Sequence, residues 1–523
     1  RSLSPVFEDE GKILISNDVK DDIIWLRRVG IEVKNRIFDI KIAHYVLQPD
    51  SSHELERVAL ELLNYRLIKG DNTENPQLSL FPEEGSKKDK DYAERTDILF
   101  RLKSKLEEAL KDVGLYKLFE ELEMPLVGVL ADMEYEGVSI DKGALKELSE
   151  ELKGKIAGEE KIIYDIAGEE FNISSPKQLG EVLFDRMNID PGNKKTKTGQ
   201  YSTSEQVLSK LEEAHPIVGH ILNYRGLKKL LTTYAEALPT YIDPGTGKIH
   251  THFNQAEAAT GRLSSLNPNL QNIPIRTEEG RNIRKAFITG DPDYGFFSAD
   301  YSQVELRLMA HLSGAPGLID AFLNGEDIHA ETASKIYHVP LNEVTPEMRR
   351  RAKTANFGII YGISAWGLAE RLKISRKEGK ELIDGYFNLY PGVKRYMEES
   401  VEKARKQGYV ETIMGRRRYL RDINSRNAVV RGVAERNAVN APIQGSAADI
   451  IKKAMICIHQ KIKERGLRSK MILQVHDELN FKCHHEEIEE LKQLVIDCME
   501  HVVSLAVPLT VGTGYGKSWY EAH

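Results

Sequence analysis

The sequence predicts an α/β protein of the α+β multidomain kind. Its 523 residues are too many for one compact core. Up to Ile68, short apolar runs alternate with helical patterns, which predicts a small α/β unit. From Thr96 to about Leu230 the periodicity is helical, and strand-like runs follow Gly247. These changes of pattern along one chain indicate several domains.

Local signals divide the chain further. Residues 70–92 are polar and contain Pro and Gly, so they are predicted to form a loop or linker. The serines before Pro176 predict a helix that starts there.

Composition excludes some classes of protein. Hydrophobic residues make up 41% and charged residues 29% of the chain, which is typical of folded domains and not of membrane or disordered proteins. A net charge of −7 argues against a uniformly basic surface, but a local basic channel is still allowed because salt screens charges over about 8 Å. Taken singly, a basic run such as Arg416-Arg417-Arg418 is interpreted as a solvated face.

The cysteines predict a reduced chain. Cys457, Cys483 and Cys498 lack the spacing of a metal site. Their number is odd and no secretory segment is visible, so we expect reduced thiols in the cytoplasm.

Acidic residues stand at two predicted strand ends. One apolar run ends at Asp300 and passes into a helical pattern, while two others flank His476, Asp477 and Glu478 as in a hairpin with acids at its tip. Each acid alone could cap a helix or lie in a solvated turn. If they meet, two charges 4 Å apart repel by about 4 kcal/mol, so the cluster needs a cation. Oxygen ligands favour magnesium.

A predicted helix carries four residues at intervals of four: Arg349, Lys353, Phe357 and Tyr361. This face is cationic at one end and aromatic at the other, and it spans about 18 Å. A nucleoside triphosphate has the matching layout, but an ordinary amphipathic helix fits the spacing equally well. Gly358 and Gly362 favour a functional role, because each costs ~1 kcal/mol of helix stability relative to Ala.

Together these segments resemble the A, B and C motifs of family A DNA polymerases. The three motifs are matched by Asp300-Tyr-Ser-Gln-Val-Glu-Leu-Arg307, by the helical residues from Arg349 to Gly362, and by Val475-His-Asp-Glu478. Further matches are Thr260-Gly-Arg262-Leu-Ser-Ser265, Asn269-Leu-Gln-Asn-Ile-Pro274, Asp327-Ile-His329 and Asn440-Ala-Pro-Ile-Gln444-Gly445.

The resemblance implies a right-hand polymerase with palm, fingers and thumb, preceded by a truncated RNase H-like 3′–5′ exonuclease-type domain. The implied domains are 1–112 exonuclease-like and inactive, 113–144 connecting helix and start of the palm, 145–245 thumb, 246–300 palm, 301–420 fingers and 421–523 second part of the palm.

The resemblance also implies a reaction, in which a primer 3′-hydroxyl attacks the α-phosphorus of a deoxynucleotide. Two magnesium ions, replaceable by manganese, would be held by Asp300, Asp477 and Tyr301, with Glu478 as a supporting acid. Lys353 would donate a proton to the leaving group. The implied nucleotide-binding residues are Arg349, Lys353, His329, Gln303, Phe357, Tyr361 and Glu305, the last as a steric gate against ribose. The implied DNA contacts are Arg262, Gln444, Asn440, Arg436 and His476.

The exonuclease-like region departs from the family. Asp39 resembles one metal aspartate, but the strand that carries the first acid pair is expected to precede Arg1. Where the later acid belongs, Arg95 and Thr96 offer no carboxylate, so no proofreading is expected. From the resemblance we also expect no counterpart, within these 523 residues, of the 5′ nuclease domain that full-length relatives carry. Ala258 replaces a usual Thr, which puts one minor-groove contact in doubt.

The implied partners are primer-template DNA and dNTPs, with no membrane, and we expect a monomer in the bacterial cytoplasm at the nucleoid. The implied duty is repair and gap filling, or replication. Two alternatives remain open. One is a single-subunit RNA polymerase, which the presence of Glu305 disfavours. The other is a catalytically silent primer-template binding protein, which the presence of both Asp300 and Asp477 disfavours.

Overall fold

The computed structural model describes residues 3–68, 84–190, 195, 199–275 and 277–523. The elements before Gly137 are α1 (Ser4–Phe7), β1 (Ile13–Ser16), α2 (Val19–Arg28), β2 (Arg36–Asp39), α3 (Ile40–Leu47), α4 (Leu55–Leu63), α5 (Glu84–Asp112), α6 (Tyr116–Leu118) and α7 (Met124–Glu136). Those that follow, up to the middle of the chain, are β3 (Val138–Ile140), α8 (Lys142–Ala167), α9 (Pro176–Gly180), α10 (Glu205–Leu208), α11 (Pro216–Leu230), β4 (Lys248–Ile249), β5 (His252–Asn254), β6 (Ser264–Leu266), α12 (Glu278–Ile283), β7 (Phe287–Ile288) and β8 (Tyr294–Tyr301).

The second half of the chain begins as a run of helices. They are α13 (Val304–Ser313), α14 (Pro316–Leu323), α15 (Ile328–Tyr337), α16 (Pro346–Ile360), α17 (Ala365–Leu372), α18 (Arg376–Leu389) and α19 (Pro391–Gln407). The remaining elements are β9 (Tyr409–Glu411), β10 (Arg417–Tyr419), α20 (Ala428–Glu464), β11 (Lys470–Val475), β12 (Glu478–His484), α21 (Ile488–His501), β13 (Val511–Gly516) and α22 (Trp519–Ala522).

The chain divides into two compact units. The first contains Arg1–Glu136, His252–Leu266 and Ala299–Thr513, and the second contains Gly137–Thr251, Asn267–Ser298 and Gly514–His523. Helices and strands mix in both, as the sequence predicted. No helix in the described ranges is long and apolar enough to span a membrane.

The second unit is built on helices and a small sheet. α8 and α11 pack together, and Glu159 on α8 accepts a hydrogen bond of 2.6 Å from the Asn223 side chain on α11. β3 lies between β4 and β7 in an antiparallel sheet. Trp519 is fully buried, with the Arg284 guanidinium 4.0 Å from the centre of its ring. This packing gives the unit a core of its own.

The first unit begins with the predicted α/β unit, in which β1 and β2 pair in parallel. Its longest helix, α20, packs against α21 and against the β9–β10 hairpin. Three small residues on α20 (Ala434, Ala438 and Ala441) let Val410 of β9 approach closely in a buried cluster. β11 and β12 form an antiparallel hairpin, and the last three residues of β8, from Ala299 to Tyr301, also belong to this unit.

Local sequence accounts for several helix ends. Ser175 caps α9, whose first residue is Pro176, as predicted. Asp141 caps α8 by accepting the N–H groups of two residues in the first turn, and α8 ends at Gly168, whose φ is 75°. Such caps satisfy backbone groups that a helix leaves unpaired at its ends.

Three predictions from the sequence are corrected. The segment 70–92 is not all loop, because α5 begins at Glu84; its earlier part lies outside the described residues. The chain is not fully reduced: Cys457 on α20 and Cys498 on α21 form a disulfide, with Cα atoms 5.9 Å apart, while Cys483 is free and buried. Packing of the two helices unites cysteines that are 41 residues apart in sequence.

The third correction concerns the basic run at residues 416–418, which is not a solvated face. Arg416 is only 5% exposed and is held by buried carboxylates. Arg418, in contrast, forms a partly exposed ion pair with Asp50. Neighbouring residues of one basic run therefore lie in two different environments: Arg416 is buried and Arg418 is partly exposed.

Candidate functional site

The two acidic segments meet in the structure. Asp300 is the penultimate residue of β8, and Asp477 lies in the two-residue turn that joins β11 to β12, where Val475 pairs with Glu478. His476 takes a left-handed conformation in this turn, with φ 56°. The backbone N–H of Tyr301 donates a hydrogen bond of 3.2 Å to the carbonyl of Asp477. The predicted hairpin is confirmed, and the strand end and the hairpin tip are direct neighbours.

The electrostatics of this acidic group suit a bound cation. Burial raises the pKa of Asp477, and the negative charge of Glu305 raises it further. Asp300 is half-buried and Glu478 is buried. Acids that repel one another in partly buried positions are stabilised by a cation, and their oxygens suit a hard ion such as magnesium. The donor set therefore fits the metal that the resemblance implied.

Tyr301 could contribute only a backbone oxygen to such an ion. Its side chain is buried and its hydroxyl donates a hydrogen bond of 2.6 Å to the carbonyl of Met499. Burial also raises the pKa of Tyr301, so the hydroxyl stays protonated.

The turn after Asp300 is fixed from two sides. The N–H of Ser302 donates to the Thr510 carbonyl at 2.9 Å, and the Arg307 Nε donates to the Ser302 carbonyl at 2.8 Å. Gln303 takes a left-handed conformation with φ 55° and precedes α13. This geometry brings Glu305 into the first turn of α13, close to the acids.

Three of the four residues of the predicted helical face lie on α16, whereas Tyr361 follows the last residue of the helix, Ile360. Thr345 caps this helix, whose first residue is Pro346. Arg349 and Lys353 are exposed and Phe357 is half-buried, whereas Asn356, on another face, is 1% exposed. The helix is therefore amphipathic, and its cations remain accessible to a ligand.

The cationic end of this face is organised by α15. Asp327 caps α15 by accepting the backbone N–H of His329 at 3.0 Å, and it also binds the Arg349 Nε at 2.6 Å. His329 lies against Phe357, with ring centroids 5.7 Å apart. Burial lowers the pKa of His329 to about 4, and the positive charges of Lys353 and Arg349 act in the same direction. The imidazole is therefore neutral at physiological pH.

Glu305 lies between two other predicted site residues. Its carboxylate accepts a hydrogen bond of 2.6 Å from the Arg262 guanidinium and another from the Tyr361 hydroxyl. Tyr361 also bonds the side chain of Gln444, and burial followed by the charge of Glu305 raises its pKa. Four residues that are distant in sequence thus share one hydrogen-bonded group.

One face of α20 carries Gln444, Asn440 and Arg436 at helical intervals. The Asn440 amide donates to the Tyr361 carbonyl at 3.4 Å. Gly362 has φ 70°, and a Cβ there would lie 2.9 Å from Cγ of Arg436, so only glycine fits. His476 is exposed in its turn. The structure brings the predicted DNA-contacting residues of α20 to the C-terminal end of α16.

A buried ionic cluster, which the sequence did not reveal, lies next to the loop that carries Arg262. It consists of Arg416, Glu123, Asp449 and Lys452. The Arg416 Nε lies 2.8 Å from Asp449, and the Lys452 ammonium lies 2.8 Å from Glu123. Burial alone would raise the pKa of Glu123, but Lys452 and Arg416 lower it to about 2.

This cluster is joined to the loop that carries Arg262. Gly261 has φ 84°, and a Cβ there would lie 2.6 Å from the Arg416 Nε. The loop therefore rests directly on the Arg416 guanidinium. No sequence signal marked Arg416, because it sits in an ordinary basic run.

In the described part of the chain, one trio of metal-ligand type lies elsewhere: Asp21, Glu134 and His252. The Lys20 ammonium is already there, bonded to Glu134 and 3.3 Å from the His252 Nδ1. Because the Lys20 ammonium supplies the positive charge and forms a buried ion pair with Glu134, this group is better explained by that ion pair than by a metal centre.

Asp39, the aspartate of the exonuclease-like region, is used structurally. Its carboxylate accepts the N–H groups of Val19 at 2.8 Å and Ile42 at 2.9 Å, and so caps α3. Burial raises its pKa to about 7. On α5, Arg95 binds Glu56, and the Thr96 hydroxyl donates to the Tyr92 carbonyl.

Residues 142–521 match the family model described as DNA polymerase family A, and residues 1–111 match a 3′–5′ exonuclease model. DNA polymerase I of Geobacillus stearothermophilus is 48% identical over 516 residues, which are 98% of this chain and 59% of that protein. DNA polymerase I of Pseudomonas aeruginosa is 43% identical in an alignment of 531 positions, gaps included, that covers 100% of this chain and 58% of that protein. The chain thus spans somewhat more than half the length of these curated relatives.

A solved structure shares the fold. It is the POL domain of Pol1 from M. smegmatis in complex with DNA primer-template and dNTP, which is 42% identical with a TM-score of 0.92. The match covers 100% of this chain and 88% of that one. The polymerase fold and the exonuclease-like region that the resemblance implied are confirmed.

Proposed function

This chain belongs to DNA polymerase family A, and on that premise we propose that it extends a primer 3′-hydroxyl with dNTPs on a DNA template. The observation that carries the proposal is the contact between the two acidic segments, in which the Tyr301 N–H bonds the Asp477 carbonyl. A binding protein gains nothing from acids placed together where phosphates would approach. The primer-template and dNTP bound to the Pol1 relative support the same substrates here.

Asp300 and Asp477, with the backbone of Tyr301, would hold two magnesium ions, for which manganese would substitute, and Glu478 would support them. When bound, these ions would lower the pKa of the primer hydroxyl and stabilise the departing pyrophosphate. The raised pKa of Asp477 supports this assignment, because a cation would relieve the repulsion from Glu305.

The exposed face of α16 would bind the triphosphate. Arg349 and Lys353 would supply positive charge, and Lys353 would donate a proton to the leaving group. To bind a phosphate, Arg349 would give up its hydrogen bond to Asp327. His329 and Gln303 would complete the phosphate contacts.

The aromatic end of α16 would receive the base and sugar. Phe357 and Tyr361 would pack around the nascent pair, and Glu305 would occupy the room that a ribose 2′-hydroxyl needs. Arg262 and Gln444 would read minor-groove acceptors, a pattern common to correct base pairs. Asn440, Arg436 and His476 would support the primer and template strands.

The assignments of thumb to 145–245, fingers to 301–420, and palm to 246–300 and 421–523 form part of this proposal. So do action as a monomer at the bacterial nucleoid and a duty in repair, gap filling or replication.

We further propose that the chain does not proofread. Each oxygen of the Asp39 carboxylate accepts one backbone N–H, and burial raises the pKa of Asp39 to about 7, so this acid is a weaker candidate for a metal ligand. Arg95 and Thr96 offer no acid on α5. A two-metal nuclease needs several carboxylates in one place.

The polymerase proposal is tested by extension of a labelled primer on a DNA template with dNTPs and magnesium. We expect templated extension that disappears in Asp300→Ala and with chelator, and that persists in Asp320→Ala, an exposed acid on α14. Tight primer-template binding without extension by the intact chain would support the silent-binder alternative. Preference for rNTPs over dNTPs would support the RNA polymerase alternative.

A further inference from the structure

A buried asparagine faces the imidazole of His329. Asn356 lies on α16 and His329 on α15, and each is 1% exposed. The Asn356 Nδ2 is 3.1 Å from the His329 Nδ1, while Nε2 of that ring bonds no residue that the structure describes. The free nitrogen is therefore the one that a ligand can use, and its chemistry depends on where the ring carries its proton.

The orientation of the Asn356 amide is fixed by Thr332. The Thr332 hydroxyl donates its proton to the Ile328 carbonyl at 2.6 Å, so its oxygen can only accept. The Asn356 Nδ2 lies 3.1 Å from this oxygen and 3.1 Å from the His329 Nδ1. If the amide were turned over, its carbonyl oxygen would face an acceptor. The NH₂ group must therefore point at both partners.

An NH₂ group that donates to the His329 Nδ1 requires a lone pair on that nitrogen. We propose that Asn356 is a positioning residue, which holds neutral His329 with its proton on Nε2 so that the ring donates a hydrogen bond to a phosphate oxygen of the nucleotide. This inference rests on the proposed function. The other tautomer would direct a lone pair at the anionic phosphate and repel it.

The charged surroundings are consistent with a neutral donor. Asp327 at the start of α15 favours a charged imidazole, whereas Lys353 and Arg349 on α16 oppose it. The Tyr390 hydroxyl lies 3.3 Å from the Thr332 hydroxyl oxygen. Arg349 and Lys353 thus supply positive charge for the phosphates, and His329 supplies a hydrogen bond of fixed direction.

The tautomer can be observed directly in long-range ¹H–¹⁵N spectra of protein labelled in histidine. The His329 signals are assigned by their loss in His329→Gln. At neutral pH we expect a protonated Nε2 and an unprotonated Nδ1, and addition of inorganic triphosphate should move the Nε2 signal. A proton on Nδ1, alone or in addition, would overturn the inference. This measurement needs no polymerase activity, so it stands even if the proposed function fails.

The second test is Asn356→Leu, which removes both donors and also removes an Oδ1 that has no partner, so the fold should survive. We expect the His329 signals to shift towards a mixture of tautomers. The KM for dNTP should rise roughly tenfold with little change in kcat, because a hydrogen bond to a charged group is weakened. Unchanged His329 signals would overturn the inference.

A double-mutant cycle separates positioning from general damage. In the His329→Ala background, Asn356→Leu should have almost no further effect on KM. Asn17→Leu makes the same change at another buried Oδ1, in the N-terminal region, and should leave KM unchanged. An equal rise in KM with and without the His329 ring would overturn the assignment.

Discussion

The guanidinium of Arg262 donates a hydrogen bond of 2.6 Å to the carboxylate of Glu305. The other oxygen of this carboxylate accepts from Tyr361, so Glu305 is fixed between two partners. Only 13% of its side chain is exposed. A carboxylate held in this way can act as a rigid barrier beside the sugar of an incoming nucleotide.

Replacing Glu305 by Ala should relax discrimination against ribonucleotides. The smaller side chain opens room for a 2′-hydroxyl, and we expect the ratio of kcat/KM for rNTP to that for dNTP to rise ~100-fold. Single-nucleotide incorporation kinetics measure this ratio. Glu331→Ala, which removes an acid that pairs with Lys335 on α15, should leave the ratio unchanged; an unchanged ratio in Glu305→Ala would refute the steric role.

Phe357→Tyr should increase incorporation of dideoxynucleotides. Phe357 is half-buried beside His329. It has no hydroxyl group, so it cannot replace the contact that a dideoxynucleotide loses because its 3′-oxygen is missing. A new hydrogen bond contributes about 1 kcal/mol, so the ratio of ddNTP to dNTP incorporation should rise at least about fivefold. Chain-termination assays test this, and equal ratios in both proteins would count against the placement of Phe357.

Arg416→Met should destabilise the protein strongly, because it leaves the buried Asp449 and Glu123 short of a counter-charge. Breaking a buried ion pair costs about 3–5 kcal/mol. Arg418→Met, two residues away, removes only the partly exposed pair with Asp50 and should cost about 0–1 kcal/mol. Thermal unfolding midpoints of the two variants provide the comparison, and similar midpoints would contradict the structural assignment.

Asp39 should make stability fall with rising pH. Burial raises its pKa from 3.8 to about 7, so the folded chain holds a proton that the unfolded chain has lost over this range. This contribution is complete below pH ~4 and disappears as pH approaches about 7; at 1.4 kcal/mol per unit it amounts to at most about 4 kcal/mol. Asp39→Asn cannot ionise, so its stability relative to the parent should increase over this range in unfolding experiments at several pH values. A stability difference between Asp39→Asn and the parent that does not change with pH would disprove the raised pKa of Asp39.

The purified protein should not remove a mismatched 3′ nucleotide, because Arg95 and Thr96 on α5 supply no carboxylate to act together with Asp39. A labelled primer with a terminal mismatch should stay at full length in the presence of magnesium without dNTPs. Asp39→Ala should give the same result. Shortening of the primer by the parent protein, abolished in Asp39→Ala, would show that the site is active.

Local patterns were sufficient for several elements of the candidate site. The interval of four between Arg349, Lys353 and Phe357 predicted one helical face, and α16 has it. The apolar runs on either side of Asp477 predicted a hairpin, and β11 and β12 form it. These features could be predicted because periodicity and turn chemistry depend on residues close together in sequence.

Other features escaped prediction because they depend on distant residues. Arg416 is buried by partners that include Glu123, 293 positions away in the chain. The disulfide unites Cys457 and Cys498 through helix packing. The spacing of residues along the sequence does not indicate which distant residues become neighbours in the folded chain.

The sequence by itself determined the polymerase motifs, the helical face of α16 and the acids at the strand ends, since short-range spacing specifies each of them. Only the tertiary structure decided that Asn356 faces His329, that Glu305 joins Arg262 to Tyr361, and that Asp39 caps a helix. The reason is physical. The proton position on an imidazole, the pKa of a carboxyl group and the cost of a buried charge are set by groups within a few ångströms, and packing alone brings those groups together.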